Sequence, residues 1–561
     1  MTVKAKNKKQ QKKRRKNEQT NLLTYLMIFC PFFTGLAENS WLFGVSLILL
    51  GTLIVRTREK GIIRIGKGII PFSGLVILLC GMITVFVGVS HGDSVIGLMR
   101  LISIGLYGLV LLQYETEERR EAFRIVPDVG VLMTIISAVL YVIPEFRGQF
   151  SNGAGRLAGF FQYSNVYALF LLLGLVIYTM EEIDDKADWK AYIYPLILLG
   201  GILWSGSRIT FGLTILMMIY LTARKREVRI PYLIILGMGI LFAVTLACII
   251  KETDTFARFM TTFTHTSTLV GRLLYVGDGL KMVLRHPLGM GYYGYYLMQP
   301  YEQTGVYVVR FAHNEWLQMA LDYGVIAGVA FVVFMVEGLR IAKGTERLVI
   351  VLIALHSFLD FDLQFTVIVW ILLLSVDWDR EKIIEVRVKG LNAGLIMGTL
   401  SIIFLWLSAA DFLRGLGAYE MSTVFYPWAV VTEEYAMIGT EDVEQMEKHA
   451  DHILSEFEYD GVAYEVKALI EKERGNYLNM LENQRKSVLY RKYDMEQYER
   501  YAIMLHEASD YFELYDQDEN VEICNAYLEE LPLLLHNVER TTSPLSYHTV
   551  DAPQFILPDT E

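Results

Sequence analysis

The chain has 561 residues, of which 53% are hydrophobic and only 20% are charged. Soluble proteins of this size carry more charge and fewer apolar residues, so the composition argues against a soluble fold. The formal net charge of −11 hides an asymmetry, because residues 411–561 sum to −21 and the remaining residues sum to +10. The sequence therefore predicts a basic membrane part followed by an acidic, extramembrane part.

The apolar residues form about thirteen blocks, most of them near the roughly 15 to 25 residues that cross a hydrocarbon core of about 30 Å and several of them shorter. The basic segment 1–20 precedes the first block and has no small-residue cleavage site, so we expect an uncleaved cytoplasmic tail. The blocks predict an all-α polytopic membrane protein with about 12–13 transmembrane helices. The predicted spans are residues 22–37, 40–55, 69–89, 94–113, 125–143, 164–180, 191–205, 208–223, 230–250, 315–341, 348–359, 364–377 and 391–409.

Lysine and arginine in the connections between spans predict the orientation, because cytoplasmic loops are enriched in both. Basic residues occur in the connections 56–67, 119–124, 186–190, 224–229, 340–347 and 380–389. The alternate connections, at 37–40, 90–93, Gly206 and 359–362, are poor in charge. This pattern predicts a cytoplasmic (inner) membrane protein with its N-terminus inside. The loops 144–163 and 251–314 and everything after residue 410 are then outside.

The acidic tail has a helical pattern. Apolar residues recur at i, i+3 and i+4 in segments 443–457, 462–473, 477–490 and 495–515. Residues 411–540 are therefore predicted to form an extracytoplasmic helical domain, either a small tetratricopeptide-like array or a plain helical bundle. Such a domain suits binding of envelope proteins or glycan. Residues 541–561 contain proline and serine and are expected to be poorly ordered.

Two arginines lie where predicted spans begin on the outer side. Arg156 belongs to the glycine-rich segment 153–165, where it could bind an anion or simply mark a helix start at the interface. Arg208 lies in the near-loopless turn 204–210, with no acidic residue nearby in sequence. A phosphate is a natural partner for its planar guanidinium, and the alternative is a side chain that reaches up to the lipid headgroups.

Two further places in the outer loop 251–314 could carry chemistry. Arg272 precedes a potentially amphipathic helix, and a solvated loop arginine is the alternative. His313 is the best candidate for a proton acceptor, because an imidazole titrates near neutral pH. A single histidine at a helix start is nevertheless more often structural. Candidate supporting residues are Arg310, Asn314 and Glu315, of which the last two could orient the imidazole, and Asp360, which with Asp362 could pair with an arginine or contact an acceptor.

Other classes of site lack a signal in the sequence. The four cysteines include no CxxC pair, so neither a disulfide framework nor a zinc site is indicated. We find no GxxxxGK[ST] motif, no acidic or histidine set with metal-ligand spacing, and no basic, aromatic-rich face suited to nucleic acid. No cofactor is therefore predicted.

Taken in order, several segments resemble the bacterial O-antigen ligase and polymerase family of lipid-linked-glycan transferases. They include HPLGMG at 286–291, AHNEWLQ at 312–318 and YGVIAG at 323–328. The other carrying segments are residues 156–165, 205–212, 271–296 and 356–364, the last of which matches members with a helical-repeat tail. The resemblance covers roughly residues 20–410 and implies that residues 21–410 form a transmembrane glycosyltransferase domain.

The resemblance implies a glycosyltransferase whose donor is a glycan on undecaprenyl pyrophosphate. Arginines of such enzymes hold the pyrophosphate, and the matching positions here are Arg208, Arg272 and, less firmly, Arg156. The histidine that activates the acceptor hydroxyl matches His313. The reaction needs no metal, because the arginines neutralise the leaving diphosphate, and in-line attack inverts the anomeric centre. The acceptor stays open among a polysaccharide, a lipid and a protein.

Alternatives to a ligase remain at this point. A repeat-unit polymerase of the same family uses the same donor chemistry. A transporter or flippase for lipid-linked glycan would also need many spans, although transporters often show internal repeats and mid-membrane polar residues that are not clear here. An envelope scaffold would use the helical tail. Of these alternatives, only the repeat-unit polymerase would use Arg208, Arg272 and His313 in the predicted roles.

Overall fold

The computed structural model describes residues 21–152, 155–184, 188–234, 237, 267–388 and 390–555. The predicted cytoplasmic tail and most of the predicted span 230–250 lie outside these residues. The helices up to residue 415 are α1 Leu22–Phe29, α2 Asn39–Lys60, α3 Ile69–Val87, α4 His91–Leu112, α5 Thr116–Arg124, α6 Val126–Val142, α7 Pro144–Phe150, α8 Ser164–Glu181, α9 Ile193–Ser205, α10 Arg208–Arg224, α11 Ser267–Arg285, α12 Gly294–Glu302, α13 Glu315–Tyr323, α14 Val325–Ile341, α15 Gly344–His356, α16 Thr366–Leu374 and α17 Gly390–Gly415.

Six helices are long and apolar enough to cross a membrane within the ranges that the structure describes. They are Asn39–Lys60, Ile69–Val87, His91–Leu112, Thr116–Val142, Ser164–Glu181 and Gly394–Gly415. This confirms the prediction of an all-α polytopic membrane protein. The other predicted spans with described residues contain shorter helices, and 315–341 is divided into α13 and α14 at Gly324, whose φ of 89° ends the first helix. The predicted count of twelve or thirteen spans therefore stays a prediction.

The helix α8 lies at the centre of the bundle. Its residues from Val166 to Ile177 are all buried, because it is apolar on every side and packs against α6, α9, α10 and α15. Around this centre, α2 packs against α17 and α3 packs against α14. These helices present leucine, isoleucine and phenylalanine side chains outward, such as Leu79, Phe86 and Ile402. An apolar outer surface is what a bundle in lipid requires.

One end of the bundle carries connections that the sequence assigns to the cytoplasm. Residues of 56–67 and 380–389 pair as two antiparallel strands, β1 Ile62–Gly66 and β2 Ile383–Arg387, where loops were expected. The β-branched residues of both segments favour this pairing. Ion pairs of 2.9 Å join Arg64 to Glu115, Arg119 to Asp379 and Arg124 to Glu181. The predicted inner connections thus lie together, as a consistent topology requires.

The tail folds as helices α18 Tyr419–Phe425, α19 Val430–Gly439, α20 Val443–Glu456, α21 Gly461–Glu473, α22 Tyr477–Tyr490, α23 Met495–Leu514 and α24 Asp518–Thr541. From α20 onward, each helix packs against the next. The four helices predicted from periodicity are present within one residue at each end. The resemblance to a tetratricopeptide array stays a prediction.

The tail docks on the predicted outer end of the bundle, the end that carries 144–163, 267–314 and 356–364. Ile453 and Phe457 of the tail share one hydrophobic core with Met282, Tyr295 and Leu317. At the tail's start, the hydroxyl of Tyr426 donates a hydrogen bond of 2.8 Å to the carbonyl of Gly92. A buried apolar contact of this kind fixes the tail against the loops that carry the candidate site.

The expected disorder after residue 541 is wrong for the segment that follows α24. Pro544–His548 form a short 3₁₀ helix that packs against α11. The amide of Ser543 donates to the carbonyl of Thr304 at 2.8 Å, and the amide of Val306 donates to Ser546 Oγ at 3.3 Å. These hydrogen bonds order a sequence whose composition alone indicates a loose end. Residues 556–561 lie outside the described chain.

Candidate active site

The buried carboxylate of Asp360 accepts hydrogen bonds from three distant parts of the chain. It follows α15 in the loop before α16, and its side chain is completely buried. Its Oδ1 accepts from Tyr163 OH at 2.8 Å, the Phe361 amide at 3.0 Å and His313 Nδ1 at 3.3 Å, and its Oδ2 accepts from Asn165 Nδ2 at 2.6 Å and Arg272 Nη2 at 3.4 Å. We call Asp360, Tyr163, Asn165, Arg272 and His313 the Asp360 cluster.

Asp360 is ionised at neutral pH. Burial alone would raise the pKa of its carboxyl, but the hydrogen bond with His313 and the positive charge of Arg272 outweigh burial. The pKa of Asp360 therefore lies below its usual range. Burial and the same carboxylate raise the pKa of Tyr163 well above its usual range, so the phenol stays a donor. A charged carboxylate with this many donors holds its neighbours in fixed orientations.

His313 has an unusual backbone conformation. Its φ is 51°, in the left-handed region that few residues other than glycine adopt, and such residues cluster at functional sites. The ring packs edge-on against Phe361 at 5.0 Å and lies 6.1 Å from the ring of Tyr275. Its side chain stays 20% exposed, whereas Asp360 is sealed beneath it. Because Asp360 accepts at Nδ1, Nε2 is the nitrogen left to take a proton.

Arg156 joins the cluster through Asn165. Its Nη2 donates to Asn165 Oδ1 at 2.7 Å, and its Nε donates to the carbonyl of Ser205 at 2.7 Å. Asn165 in turn donates to Asp360. The contact with Ser205 also brings Arg156 to the turn that precedes Arg208. The two arginines that the sequence singled out at span entrances thus belong to neighbouring turns.

Arg208 begins α10, and a polar chain ties this helix start to the loop of Asp360. Ser207 and Thr210 share a hydrogen bond of 2.9 Å, and Thr210 Oγ1 lies 2.9 Å from His356 Nε2. The other ring nitrogen of His356 lies 2.7 Å from Asp362 Oδ2. His356 and Asp362 are both completely buried. Both nitrogens of His356 are therefore engaged, which suits an anchor between α10 and the loop 357–365 rather than a proton carrier.

Replacing His356 with alanine is expected to destabilise the protein by about 3–5 kcal/mol, because it leaves the buried Asp362 carboxylate without its partner. Unfolding of the purified protein in lipid nanodiscs, followed by heat or denaturant, measures this change. The matched control is His91→Ala, whose exposed ring has one hydrogen-bond contact, to the carbonyl of Val85. The control is expected to change stability by less than about 0.5 kcal/mol. Equal stability of both variants would contradict the anchoring role.

Three predicted supporting residues have other partners. The Asn314 side chain caps α13 by accepting from the Leu317 amide at 2.9 Å. Glu315 Oε1 accepts from Gln364 Nε2 at 3.2 Å. Arg310 is exposed and lies over the ring of Tyr293 at 5.6 Å. The expectation that Asn314 or Glu315 orients His313 is therefore corrected: the carboxylate at its Nδ1 is Asp360, because α13 turns both other side chains away.

Arg100 is a buried cation that the sequence reasoning passed over. Its guanidinium donates to the Ala37 carbonyl at 2.9 Å, to Asn39 Oδ1 at 2.7 Å and to the Gln364 carbonyl at 2.7 Å. It thereby fixes the end of the 356–364 loop to the start of α2. The sequence does indicate Arg100, because an arginine inside a predicted span marks a functional or anchoring position by default. Tyr163 and Asn165 carried no comparable signal.

An apolar cavity of about 570 Å³ lies between α3, α4, α14, α16 and α17. Gln364 connects it with the loop of Asp360. The polar residues at its wall are Arg100, Glu315, Asp322 and Gln364, and its apolar lining includes Leu75, Leu109, Phe334, Leu372 and Leu400. Among the described residues, no group of three or more histidine, cysteine or acidic side chains is placed to hold a metal ion.

Fold and site together define a polytopic helical membrane protein with a cationic, histidine-bearing cluster at one end of its bundle. Residues 193–332 match the model of the O-antigen ligase family, a segment that contains Arg208, Arg272 and His313. This match, over about a quarter of the chain, supports the resemblance of the motifs to the O-antigen ligases and polymerases. The family implies glycan transfer in the synthesis of cell-surface polysaccharide, with a lipid-linked glycan and a polysaccharide acceptor. Searches of curated proteins and of solved structures gave no significant match.

Proposed function

We propose that the protein transfers a glycan from undecaprenyl pyrophosphate to an acceptor hydroxyl at the outer face of the cytoplasmic membrane. One observation carries this proposal: the buried carboxylate of Asp360 holds His313 and Arg272 at the same time. A proton acceptor and a cation fixed by one group match the two needs of glycosyl transfer. The acceptor oxygen must lose a proton, and the leaving diphosphate must be stabilised.

His313 is the proposed general base. Asp360 accepts from Nδ1, which keeps the imidazole in the tautomer whose Nε2 can accept a proton. The acceptor hydroxyl gives that proton to Nε2 while its oxygen forms the new bond to the anomeric carbon. The bond from that carbon to the diphosphate oxygen breaks, and the electron pair leaves with the diphosphate. Attack from the opposite side inverts the anomeric centre.

The arginines are proposed to bind the diphosphate. Each guanidinium offers five N–H donors in a planar fork that matches phosphate oxygens. Arg272 donates a hydrogen bond to the Asp360 carboxylate, and Arg208 and Arg156 belong to the adjoining turns. Preplaced cations of this kind stabilise charge as it develops on the leaving group, an effect worth about 3–4 kcal/mol for a single donor in studied enzymes. No metal is required by this mechanism.

The apolar cavity supports a lipid-linked donor. Its lining is aliphatic and aromatic over most of its surface, and Gln364 joins it to the loop that carries Asp360. A polyprenyl chain in this cavity would lead toward the loop that carries Asp360, whose carboxylate contacts Arg272.

Ligation and polymerisation use the same donor chemistry, and envelope glycans report the difference. The experiment compares their mass and chain length in cells with and without the gene. Loss of long chains with accumulation of short free repeats indicates a polymerase, whereas intact but unattached chains indicate a ligase. Unchanged glycans in cells that normally make the protein would contradict the proposed function.

A further inference from the structure

A second cavity, of about 400 Å³, lies on the predicted outer side between the α12 region and the tail. Its volume falls within the range of about 300–1,000 Å³ that small-molecule sites occupy. One wall comes from α12 and the residues after it, and the other comes from the tail around the starts of α21 and α23. The residues that carry the argument are Gln303, Tyr307, Glu434, Tyr459, Asp460 and Arg491, all of which line the cavity.

Gln303 leaves a polar atom without a partner at this cavity. Its side chain is 7% exposed, and its Oε1 has no hydrogen-bond partner among the residues that the structure describes. A buried amide oxygen without a donor is destabilising, and native proteins rarely keep one. Gln303 lines the cavity, so a small rotation of its amide would let a hydroxyl group bound inside supply the missing donor.

The remaining walls offer aromatic faces and paired charges. Tyr459 stacks against Tyr301 with ring centres 5.1 Å apart, which fixes its orientation. Arg491 is paired with Glu465 and Asp494, so its charge is balanced within the protein. Burial and the neighbouring Asp460 raise the pKa of Glu434 well above its usual range, so this pair of carboxyl groups can both donate and accept.

We propose that this cavity binds saccharide units of a glycan chain. Sugars combine apolar C–H faces with hydroxyl edges, and the cavity pairs tyrosine rings with polar groups that can donate and accept hydrogen bonds. The carboxyl groups of Glu434, Asp460 and Asp494 outnumber the guanidinium of Arg491 at this wall, which disfavours an anionic ligand. The binding itself goes beyond the proposed transfer reaction, whereas its use in delivering a substrate rests on that reaction.

The cavity is connected with the Asp360 cluster through aromatic rings. Tyr307 lines the cavity, and its ring centre lies 4.6 Å from that of Tyr275. The ring of Tyr275 lies 6.1 Å from that of His313. Tyr307 is held in place because its hydroxyl donates to Asp278 Oδ2 at 3.0 Å. The packed rings of Tyr307 and Tyr275 therefore lie between the cavity and the proposed catalytic histidine.

Binding is tested with the full-length protein in lipid nanodiscs. The probe is the oligosaccharide released by mild acid from the surface polysaccharide of the cell that makes the protein, followed by saturation-transfer NMR and calorimetry. Gln303→Leu and Tyr459→Ala are each expected to weaken binding by about tenfold or more. The matched control is Tyr515→Ala, a tail tyrosine that is 57% exposed and does not line the cavity; it is expected to bind normally.

Gln303→Leu preserves volume and removes the unpartnered oxygen, so the variant is expected to fold at least as well as the wild type. A purely structural glutamine would then leave binding unchanged. Cavity variants that bind as tightly as the wild type, or a wild-type protein that does not bind the probe, would overturn the proposal.

Two further experiments test saccharide binding and glycan transfer independently of each other. His313→Ala is expected to retain binding while transfer falls. Normal transfer in His313→Ala with cavity-dependent binding would overturn the reaction and support the cavity. The second experiment preloads the protein with lipid-linked glycan. Displacement of the free oligosaccharide identifies the bound chain as that of the donor, and unchanged binding identifies it as that of the acceptor; either result supports a saccharide site.

Discussion

Replacing His313 with alanine is expected to slow glycan transfer by about 10²–10⁴-fold, the usual contribution of a positioned general base. The imidazole of His313 is partly exposed, so an acceptor can reach it, and the carboxylate of Asp360 holds its Nδ1. Without it, the acceptor hydroxyl must lose its proton to water. The measurement is the rate of transfer from lipid-linked glycan by the purified protein in nanodiscs, followed by mass spectrometry.

The control for His313→Ala is His91→Ala, which removes an exposed imidazole at the same predicted face. His91 begins α4 and lies outside the Asp360 cluster, so transfer is expected to stay within about twofold of the wild type. Binding of the donor is expected to survive in His313→Ala, because the arginines are intact. A His313→Ala protein that is stable and transfers glycan at the normal rate would exclude this histidine as the base.

Much of the helical architecture could be predicted from local sequence. The apolar blocks predicted α2, α3, α4, α6, α8 and α17, and the i, i+3, i+4 pattern predicted the tail helices, because helix formation depends on periodicity within a short window. Charge in the connections also grouped segments that the structure brings together, such as 56–67 and 380–389. The short strands in both segments were missed, because five residues are too few for a period-two pattern to be detected.

The candidate residues were identifiable singly, but their arrangement was not. His313 stood out by its position before a span and Arg272 through the family resemblance, whereas Asp360 was given no definite role. Its side-chain partners lie between 47 and 197 positions away in the chain, so no local pattern indicates that it would hold them. Only the packing of the 357–365 loop against α8 and α11 creates the cluster. The burial of Arg100 and His356 depends on the same packing.

Asp360→Asn is expected to slow transfer by about 10²–10⁴-fold even though the change is nearly isosteric. The amide oxygen of the variant can still accept hydrogen bonds. Its NH₂ group cannot accept, so the donors that now bond to the second carboxylate oxygen would lose their acceptor. His313 would lose the partner that fixes its tautomer, and Arg272 would lose its counter-ion. Asp411→Asn is the matched control, because Asp411 is a half-buried carboxylate paired with Arg414 at the same face. It is expected to leave transfer unchanged.

A double-variant comparison distinguishes positioning from general destabilisation. If Asp360 acts through His313, adding Asp360→Asn to His313→Ala should slow transfer far less than Asp360→Asn does alone, because the base that it orients is already absent. The slowing that remains then measures the contribution of Asp360 through Arg272. Fully multiplicative effects in proteins of equal thermal stability would mean that the two residues act independently. Because one carboxylate contacts both groups, the coupling between Asp360 and His313 is the quantity on which the proposed mechanism depends.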